Sequence, residues 1–211
     1  MNWYRKMSFT YRASASDAGG SVCVGIGACA SETGGCCCHN NAAGRGATYR
    51  LELLPTEEGL PYYKGVEERS AENAGFDMYV VKDYDVVKLA EGLAPTLLDL
   101  GTAARMVRVW ASGKEEEVHF WLCPRSSIYK TGMVMANSQG VIDSSYRGGL
   151  KGPVWVVAPM PFMDAMKESG FKGSRYFQIV APDMGHISQV RIVDSLPVTE
   201  RGAGGFGSTG N

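Results

Sequence analysis

The chain has 211 residues, of which 45% are hydrophobic and 20% charged, and its formal net charge is -1. This composition is typical of a soluble globular protein, and the length fits one domain with extensions. Because acidic and basic residues are nearly balanced and interspersed, we expect no nucleic-acid partner, and because no apolar run approaches about 20 residues, we expect no membrane span.

Residues 1–46 differ from the rest of the chain. The stretch 16–46 is rich in Gly, Ala, Ser and Cys and lacks apolar periodicity, which predicts a poorly ordered low-complexity extension. Five of the six cysteines lie between Cys23 and Cys38, so we expect a reducing compartment and a fold without disulfides. A metal site at the CCCH cluster is disfavoured, since its cysteines are adjacent rather than in spaced pairs.

The first 16 residues are basic and contain no acid, which is a weak match to an organelle-targeting peptide. A plain flexible tail explains the same composition. We therefore expect a cytoplasmic or nuclear protein.

From residue 48 onward the sequence predicts strands. TYRLELL alternates and places Tyr49, Leu51 and Leu53 on one face. Short runs rich in β-branched and aromatic residues follow, namely FDMYVV, MVRVW, VHFWLC, VWVVA, YFQIVA and VRIVD. Only DAMKESG, at 164–170, suggests a helical turn. Many short strands without amphipathic helices predict an all-β sandwich or barrel.

Polar motifs interrupt the strands. GFDMY places Asp77 directly after a glycine, and PRSSIYKTG offers Arg125, Ser126 and Ser127, an arginine and two hydroxyls suited to phosphate. The second motif is also explained by a turn between strands with a surface arginine.

The segment ANSQGVIDSSYRG is the densest of these motifs. Two strand-like pieces flank residues 137–140, and Asp143 follows the apolar pair Val141 and Ile142. A carboxylate that follows a strand in this way can act as a general base on water. Tyr146 lies three residues further on. The alternative is a hairpin with an ordinary surface aspartate.

GSRYFQIV contributes Arg175 and Gln178. Residues three apart on a strand face opposite sides, so at most one of the two faces a site directly. We favour Gln178 as a donor to phosphate, which leaves Arg175 for a structural ion pair.

The last motif is RGAGGFGSTG, at 201–210. It matches G-x-G-x-x-G and nearly matches a Walker A loop, but no helix is predicted after it and Ser208 replaces the Walker lysine. Glycines let backbone N–H groups approach an anion, Ser208 and Thr209 add donors, and Arg201 adds a planar positive charge. With the ring of Phe206, the motif predicts a nucleotide site. A disordered Gly/Ser tail is the alternative.

In chain order, five motifs resemble those of the trimeric all-β dUTP pyrophosphatases: AGFDMY, PRSS, GVIDSSYRG, GSRYFQ and RGAGGFGSTG. The resemblance covers residues 47–210 and is most specific in the third and fifth motifs. It implies a dUTPase-like distorted β-barrel or jelly roll at 47–196 and a mobile C-terminal arm at 197–211 that closes over the site. It also implies a homotrimer with shared active sites and a Mg²⁺-dependent hydrolysis of dUTP to dUMP and pyrophosphate.

The same resemblance implies a role for each matching residue. Asp143 would activate the water that attacks the α-phosphorus, Tyr146 would exclude a 2′-hydroxyl, and Asp77 would reach Mg²⁺ through a water. A hairpin that reads uracil would contribute Asn137, Gly140, Val141 and Ile142. Phosphate contacts are expected from Arg125, Ser126, Ser127, Gln178, Arg201, Gly207, Ser208 and Thr209, and stacking on uracil from Phe206.

Some positions depart from the family pattern. Ser127 is often glycine in the family, and Ser174 stands where an acid is usual. PRSS also occurs in dCTP deaminases, which share the fold, so a dCTP deaminase or a bifunctional deaminase/dUTPase is one alternative. A dUTPase-like, non-catalytic interaction protein whose extension recruits a partner is another.

Overall fold

The computed structural model describes residues 46–65, 70, 72–92, 94–157 and 170–205. The Cys-rich extension up to residue 45, most of the DAMKESG segment and the end of the arm at 206–211 lie outside these ranges. Within them, no helix is long and apolar enough to cross a membrane.

The described residues form eleven short strands in three sheets, and all but one of the strand pairs are antiparallel. The first sheet has the order β11-β1-β4-β5, with β1 at Ala47–Pro55, β4 at Thr102–Trp110, β5 at Glu115–Val118 and β11 at Ile187–Ile192. The second has the order β2-β10-β6-β8, with β2 at Gly75–Met78, β6 at Phe120–Pro124, β8 at Gly140–Ile142 and β10 at Phe177–Val180. The third has the order β3-β9-β7, with β3 at Thr96–Asp99, β7 at Met133–Met135 and β9 at Lys151–Val156.

Helices within the described ranges are short. They are α1 at Leu60–Tyr63, α2 at Val86–Glu91 and one 3₁₀ turn at Ile128–Thr131. The predicted all-β class is therefore confirmed.

Strand β1 is buried on both faces. Tyr49, Leu51 and Leu53 lie in the core, as the alternation predicts, but Arg50 and Glu52 on the other face are also only 8% exposed. Burying a charge is costly unless it is paired, and here the Arg50 Nε donates to Glu52 at 2.9 Å. The central strand of the first sheet thus carries ionic contacts opposite its apolar face.

The second and third sheets pack closely where Phe177 crosses β9. A Cβ placed on Gly152 would lie 2.2 Å from the Phe177 ring, so only glycine fits at that position. Both residues are buried. This contact fixes the spacing between the two sheets.

The two strand-like pieces around Asn137 are present, but the predicted hairpin is wrong. β7 pairs with β9, and β8 pairs with β6, so the two pieces belong to different sheets. Ser138 turns the chain between them with a φ of 60°, and its N–H donates to the Met135 carbonyl at 3.1 Å. Each piece obtains its hydrogen bonds from a longer strand rather than from its neighbour in sequence.

Candidate active site

With the exception of Ser127, the described residues of the predicted site line two pockets that share no lining residue. The first, which we name the Asp143 pocket, has a volume of about 170 Å³. Its predicted residues are Asn137, Gly140, Val141, Ile142, Asp143, Tyr146 and Arg201. The second, which we name the Asp77 pocket, has a volume of about 390 Å³. Its predicted residues are Asp77, Arg125, Ser126 and Gln178.

The Asp143 pocket lies between two sheets. Leu122 of β6 and the whole of β8 come from the second sheet, whereas Met135 of β7 and Lys151 of β9 come from the third. Asp143 follows β8 directly, so its carboxylate lies at the rim of the pocket.

Arg201 pairs with Asp143. Its Nη1 contacts the Asp143 Oδ2, and its Nε donates to the Gly204 carbonyl at 2.9 Å. The guanidinium also lies 5.5 Å from the centre of the Tyr146 ring, within range of a cation–π contact. The arginine that we expect on phosphate therefore contacts the carboxylate that we expect to activate water.

His119 is a neighbour of Asp143 that sequence reasoning missed. Its Nδ1 lies 3.7 Å from the Asp143 Oδ1 and accepts a hydrogen bond from the Ser144 N–H at 3.0 Å. Because Nδ1 acts as an acceptor there, it does not donate to Asp143. VHFWLC contained no signal for this contact beyond the single histidine at the break between β5 and β6.

Tyr146 is buried and held in one position. Its hydroxyl donates to the Gly149 carbonyl at 3.1 Å, and a Cβ on Gly148 would lie 2.4 Å from the hydroxyl oxygen. Gly205 of the arm also approaches the ring, and a Cβ there would lie 2.9 Å from the Cε2 atom of Tyr146. Burial raises the pKa of Tyr146 more than Arg201 lowers it, so the hydroxyl stays protonated at neutral pH.

The beginning of the arm lies against the turn 143–147 of the same chain. The Thr199 hydroxyl donates to the Ser145 carbonyl at 2.5 Å, and the Arg147 N–H donates to the Gly202 carbonyl at 2.8 Å. The arm residues Phe206, Gly207, Ser208 and Thr209 lie outside the described residues, and so their roles stay predictions.

The Asp77 pocket is organised by two arginines on one carboxylate. The Arg125 Nε lies 2.8 Å from the Asp77 Oδ1, and the Arg175 Nη1 lies 3.0 Å from the Oδ2. Arg175, for which we expected a structural ion pair, makes one with the residue expected near the metal. Ser126 lines the pocket, whereas Ser127 is half-buried and is not among its lining residues.

Gln178 faces the Asp77 pocket from β10. It lies directly opposite Asp77 in the β10–β2 register, and its amide donates to the Pro124 carbonyl at 3.3 Å. A Cβ on Gly75 would lie 2.0 Å from the Gln178 Oε1, so the glycine of GFDMY leaves room for this amide. The opposite register positions of Gln178 and Asp77 could not be predicted from either motif alone.

Among the described residues, no group of three or more His, Cys, Asp or Glu side chains could hold a metal ion. The carboxylates at the Asp77 pocket are Asp77 and Glu72. Mg²⁺ usually keeps several waters and binds one or two carboxylates together with substrate phosphates. The pocket fits an ion of that kind, brought with a polyphosphate, better than a permanently held metal.

The two pockets are lined by the two opposite edge strands of the second sheet. Asp77 belongs to the edge strand β2, and Gly140–Ile142 forms the other edge strand, β8. Within one chain, Arg125, Ser126 and Gln178 therefore lie apart from the predicted base, and of the described phosphate residues Arg201 alone lines the Asp143 pocket.

Comparison with known proteins gives a consistent result. A family model described as dUTPase matches residues 62–210, a range that includes every lining residue of both pockets. The deoxyuridine 5′-triphosphate nucleotidohydrolase of Wolinella succinogenes is 34% identical over 162 residues, which are 76% of this chain and 93% of the relative. The protein of that name from Saccharomyces cerevisiae is 31% identical over 142 residues, which are 67% of this chain and 84% of the relative.

One similar solved structure is the dUTPase of Staphylococcus bacteriophage 80alpha with dUPNHPP. It covers 76% of this chain and 98% of its own, at 21% identity and a TM-score of 0.42.

Proposed function

This chain belongs to the dUTPase family, and we propose that it hydrolyses dUTP to dUMP and pyrophosphate with Mg²⁺ as cofactor, which lowers dUTP and supplies dUMP. The observation that carries the proposal is the pocket in which Asp143, Tyr146 and Asn137 come together. Such a reaction needs a general base, a ring that packs on the sugar, and an amide that can hydrogen-bond to the edge of the nucleobase.

Asp143 is the proposed general base. Its carboxylate takes a proton from a water, the water oxygen bonds to the α-phosphorus, and the bond to the oxygen of the leaving pyrophosphate breaks. For this, Arg201 must leave Asp143. A triphosphate carries about four negative charges against one on the carboxylate, so we expect Arg201 to move to the phosphates when dUTP binds.

Tyr146 and the backbone of β8 are the proposed selectivity elements. The ring is fixed by the hydroxyl bond to Gly149 and by the close approach of Gly148 and Gly205. A ring that cannot move leaves no room for a 2′-hydroxyl, which would exclude UTP. Asn137 and the turn at 138–140 would read the uracil edge by hydrogen bonds.

The Asp77 pocket is the proposed phosphate and metal site. Arg125, Ser126 and Gln178 present donors there, and Asp77 would contact Mg²⁺ through a bound water. A bound Mg²⁺ would supply positive charge against the triphosphate and help to orient it for in-line attack. Asp77 also orients Arg125 and Arg175, so its carboxylate has a role at this pocket whether or not the ion is bound.

A homotrimer with shared sites explains why the two pockets are apart. In such a trimer, one nucleotide would contact both if the Asp77 pocket of one copy lies near the Asp143 pocket of another. The third sheet offers an apolar outer face for such an assembly, because Leu97, Val134 and Val157 are 36%, 44% and 65% exposed. The strand pairing also places the half-buried Trp155 beside Val134 on this face.

A nucleotide panel tests the proposal. Pyrophosphate release is measured for the full-length chain with dUTP, dTTP, dCTP and UTP, with Mg²⁺ present and chelated. We expect release from dUTP alone and only with the metal. No release from dUTP would overturn the proposed function, and equal turnover of UTP would contradict the role of Tyr146. Ammonia release is measured with dCTP as well, and its detection would indicate a deaminase.

A further inference from the structure

Arg147 connects the turn that carries Asp143 to the beginning of the arm. Its guanidinium is only 9% exposed and donates to the carbonyls of Ser144, Tyr146 and Pro197, the last two at 3.0 and 2.9 Å. The first two carbonyls belong to the turn 143–147, and the third begins the arm. One side chain therefore holds together the two segments that supply Asp143 and Arg201.

A guanidinium this well buried needs a compensating negative charge. That charge comes from Glu117, whose Oε1 contacts the Arg147 Nη2. Glu117 lies on β5, an edge strand of the first sheet, and belongs to none of the five motifs. Among the described residues it is the one carboxylate paired with Arg147.

Glu117 is the last carboxylate in a line of alternating charges that begins at Glu115 on the same strand. The Arg105 Nε lies 3.3 Å from its Oε2, and the Arg105 Nη1 reaches Glu52 at 2.9 Å. Glu52 in turn accepts from Arg50, which binds both oxygens of Glu115 at 2.6 Å. In order, the line is Glu115, Arg50, Glu52, Arg105, Glu117 and Arg147, with charges that cancel.

We propose that Glu117 is a positioning residue for the reaction, acting through Arg147 on Asp143, Tyr146 and the first residues of the arm. The proposal rests on the proposed function. Glu117 contacts no group that would touch substrate, but it fixes Arg147, which ties the turn 143–147 to the arm. Because a misplacement of about 1 Å far from the chemistry can cost roughly 100-fold in rate, loss of this contact affects turnover more than folding.

A matched pair of substitutions on β5 tests the proposal. Glu117→Gln removes the charge beside Arg147, and Glu115→Gln makes the same change at the far end of the line, where the partner is Arg50. We expect Glu117→Gln to lower kcat for dUTP roughly 10- to 100-fold. We expect Glu115→Gln to keep the wild-type kcat, and the two variants to have similar melting temperatures. Equal kcat values in the two variants, whether normal or lowered, would overturn the proposal.

Hydrogen exchange gives a readout that does not depend on activity. The Arg147 N–H donates to the Gly202 carbonyl and so reports directly whether the arm lies against the turn. The Gly202 N–H donates to the Thr199 hydroxyl within the arm, and that hydroxyl is itself bound to the Ser145 carbonyl of the turn. We expect faster exchange of both amides in Glu117→Gln than in Glu115→Gln; equal rates would contradict the proposal.

If Glu117→Gln fails to fold, Glu117→Asp replaces it. This variant keeps the charge but shortens the reach, and we expect a smaller loss of kcat; a normal kcat would overturn the proposal. A wild-type chain without dUTP hydrolysis would refute the proposed function instead, and the exchange rates would still decide whether Glu117 positions the arm.

Discussion

Arg201 of the C-terminal arm contacts the carboxylate of Asp143, and both residues belong to the same chain. The contact places the arginine of the arm on the proposed base, while the Thr199 and Arg147 hydrogen bonds hold the arm beside it. Arg201 therefore has two competing anions, Asp143 and the triphosphate. The arm can in this way link substrate binding to the availability of the base.

Replacement of Asp143 by asparagine tests the base directly. Asparagine keeps the size of the side chain but cannot take a proton from water, so we expect kcat to fall by about 1,000-fold or more. Binding of dUTP should persist, because Arg201 no longer has a carboxylate partner and is available to phosphate. Pyrophosphate release and calorimetric titration measure the two quantities. Near-normal turnover would exclude Asp143 as the general base. The control is Asp183→Asn, which changes an aspartate outside both pockets.

Truncation after Glu200 tests the arm. The core strands end before residue 193, so we expect the shortened chain to fold with a melting temperature close to that of the full chain. It should bind dUTP weakly and barely turn it over, because Arg201 and the glycine-rich segment are lost. The truncated chain is compared with Arg201→Lys, which keeps the positive charge but loses the planar guanidinium. We expect this variant to retain an intermediate rate. Full activity of the truncated chain would show that the arm has no part in catalysis.

Replacement of Asp77 by asparagine tests the metal pocket. The neutral side chain no longer holds Arg125 and Arg175 by charge and attracts a hydrated cation less strongly. We expect the Mg²⁺ concentration for half-maximal rate to rise about tenfold, roughly 1.4 kcal/mol. Arg175→Gln is the matched control, since it removes one partner of Asp77 and keeps the carboxylate. An unchanged Mg²⁺ dependence in Asp77→Asn would show that Asp77 does not contribute to binding of the metal.

Asp99 gives a pH-dependent contribution to stability. Burial raises the pKa of its carboxyl, but the Gly101 N–H at 2.9 Å and the Lys82 ammonium at 3.0 Å outweigh burial, so its pKa is lowered overall. A group whose pKa is lowered by folding stabilises the fold above its unfolded pKa of about 3.9, and this contribution is lost as the pH falls through the folded pKa. We expect Asp99→Asn to lower the melting temperature at pH 7 and to lower it less near pH 2.5. Thermal unfolding at both values measures this, and an equal loss at both would refute a charge effect.

The strands were largely predictable from the sequence, because β-branched and aromatic runs between turn residues are a local signal. Each of the seven predicted runs overlaps a strand of the structure. The helices α1 and α2 were missed, since four and six residues are too few to show a helical period. Strand β3 was missed for a similar reason, with only four residues after a proline.

The site was predictable as a set of motifs but not as an arrangement. Local pattern identified Asp143, Tyr146 and Asp77, yet it does not say which sheet a strand joins, and so β7 and β8 were expected to pair with each other. Glu117 gave no signal at all, because nothing in the run EEEV distinguishes one of its three glutamates from the others, and its partner Arg147 lies 30 residues away. Contacts of this range depend on the packing of one sheet against another.

The walls of the Asp143 pocket belong to two different sheets, and the turn at 136–139 crosses between them. The width of the pocket is therefore the distance between those sheets, which the contact of Phe177 with Gly152 fixes deep in the core. A change in core volume at that contact would widen or narrow the space for a nucleobase without altering any residue that lines the pocket. The proposed discrimination between nucleotides thus depends on the packing of the interior as well as on the chemistry of the pocket surface.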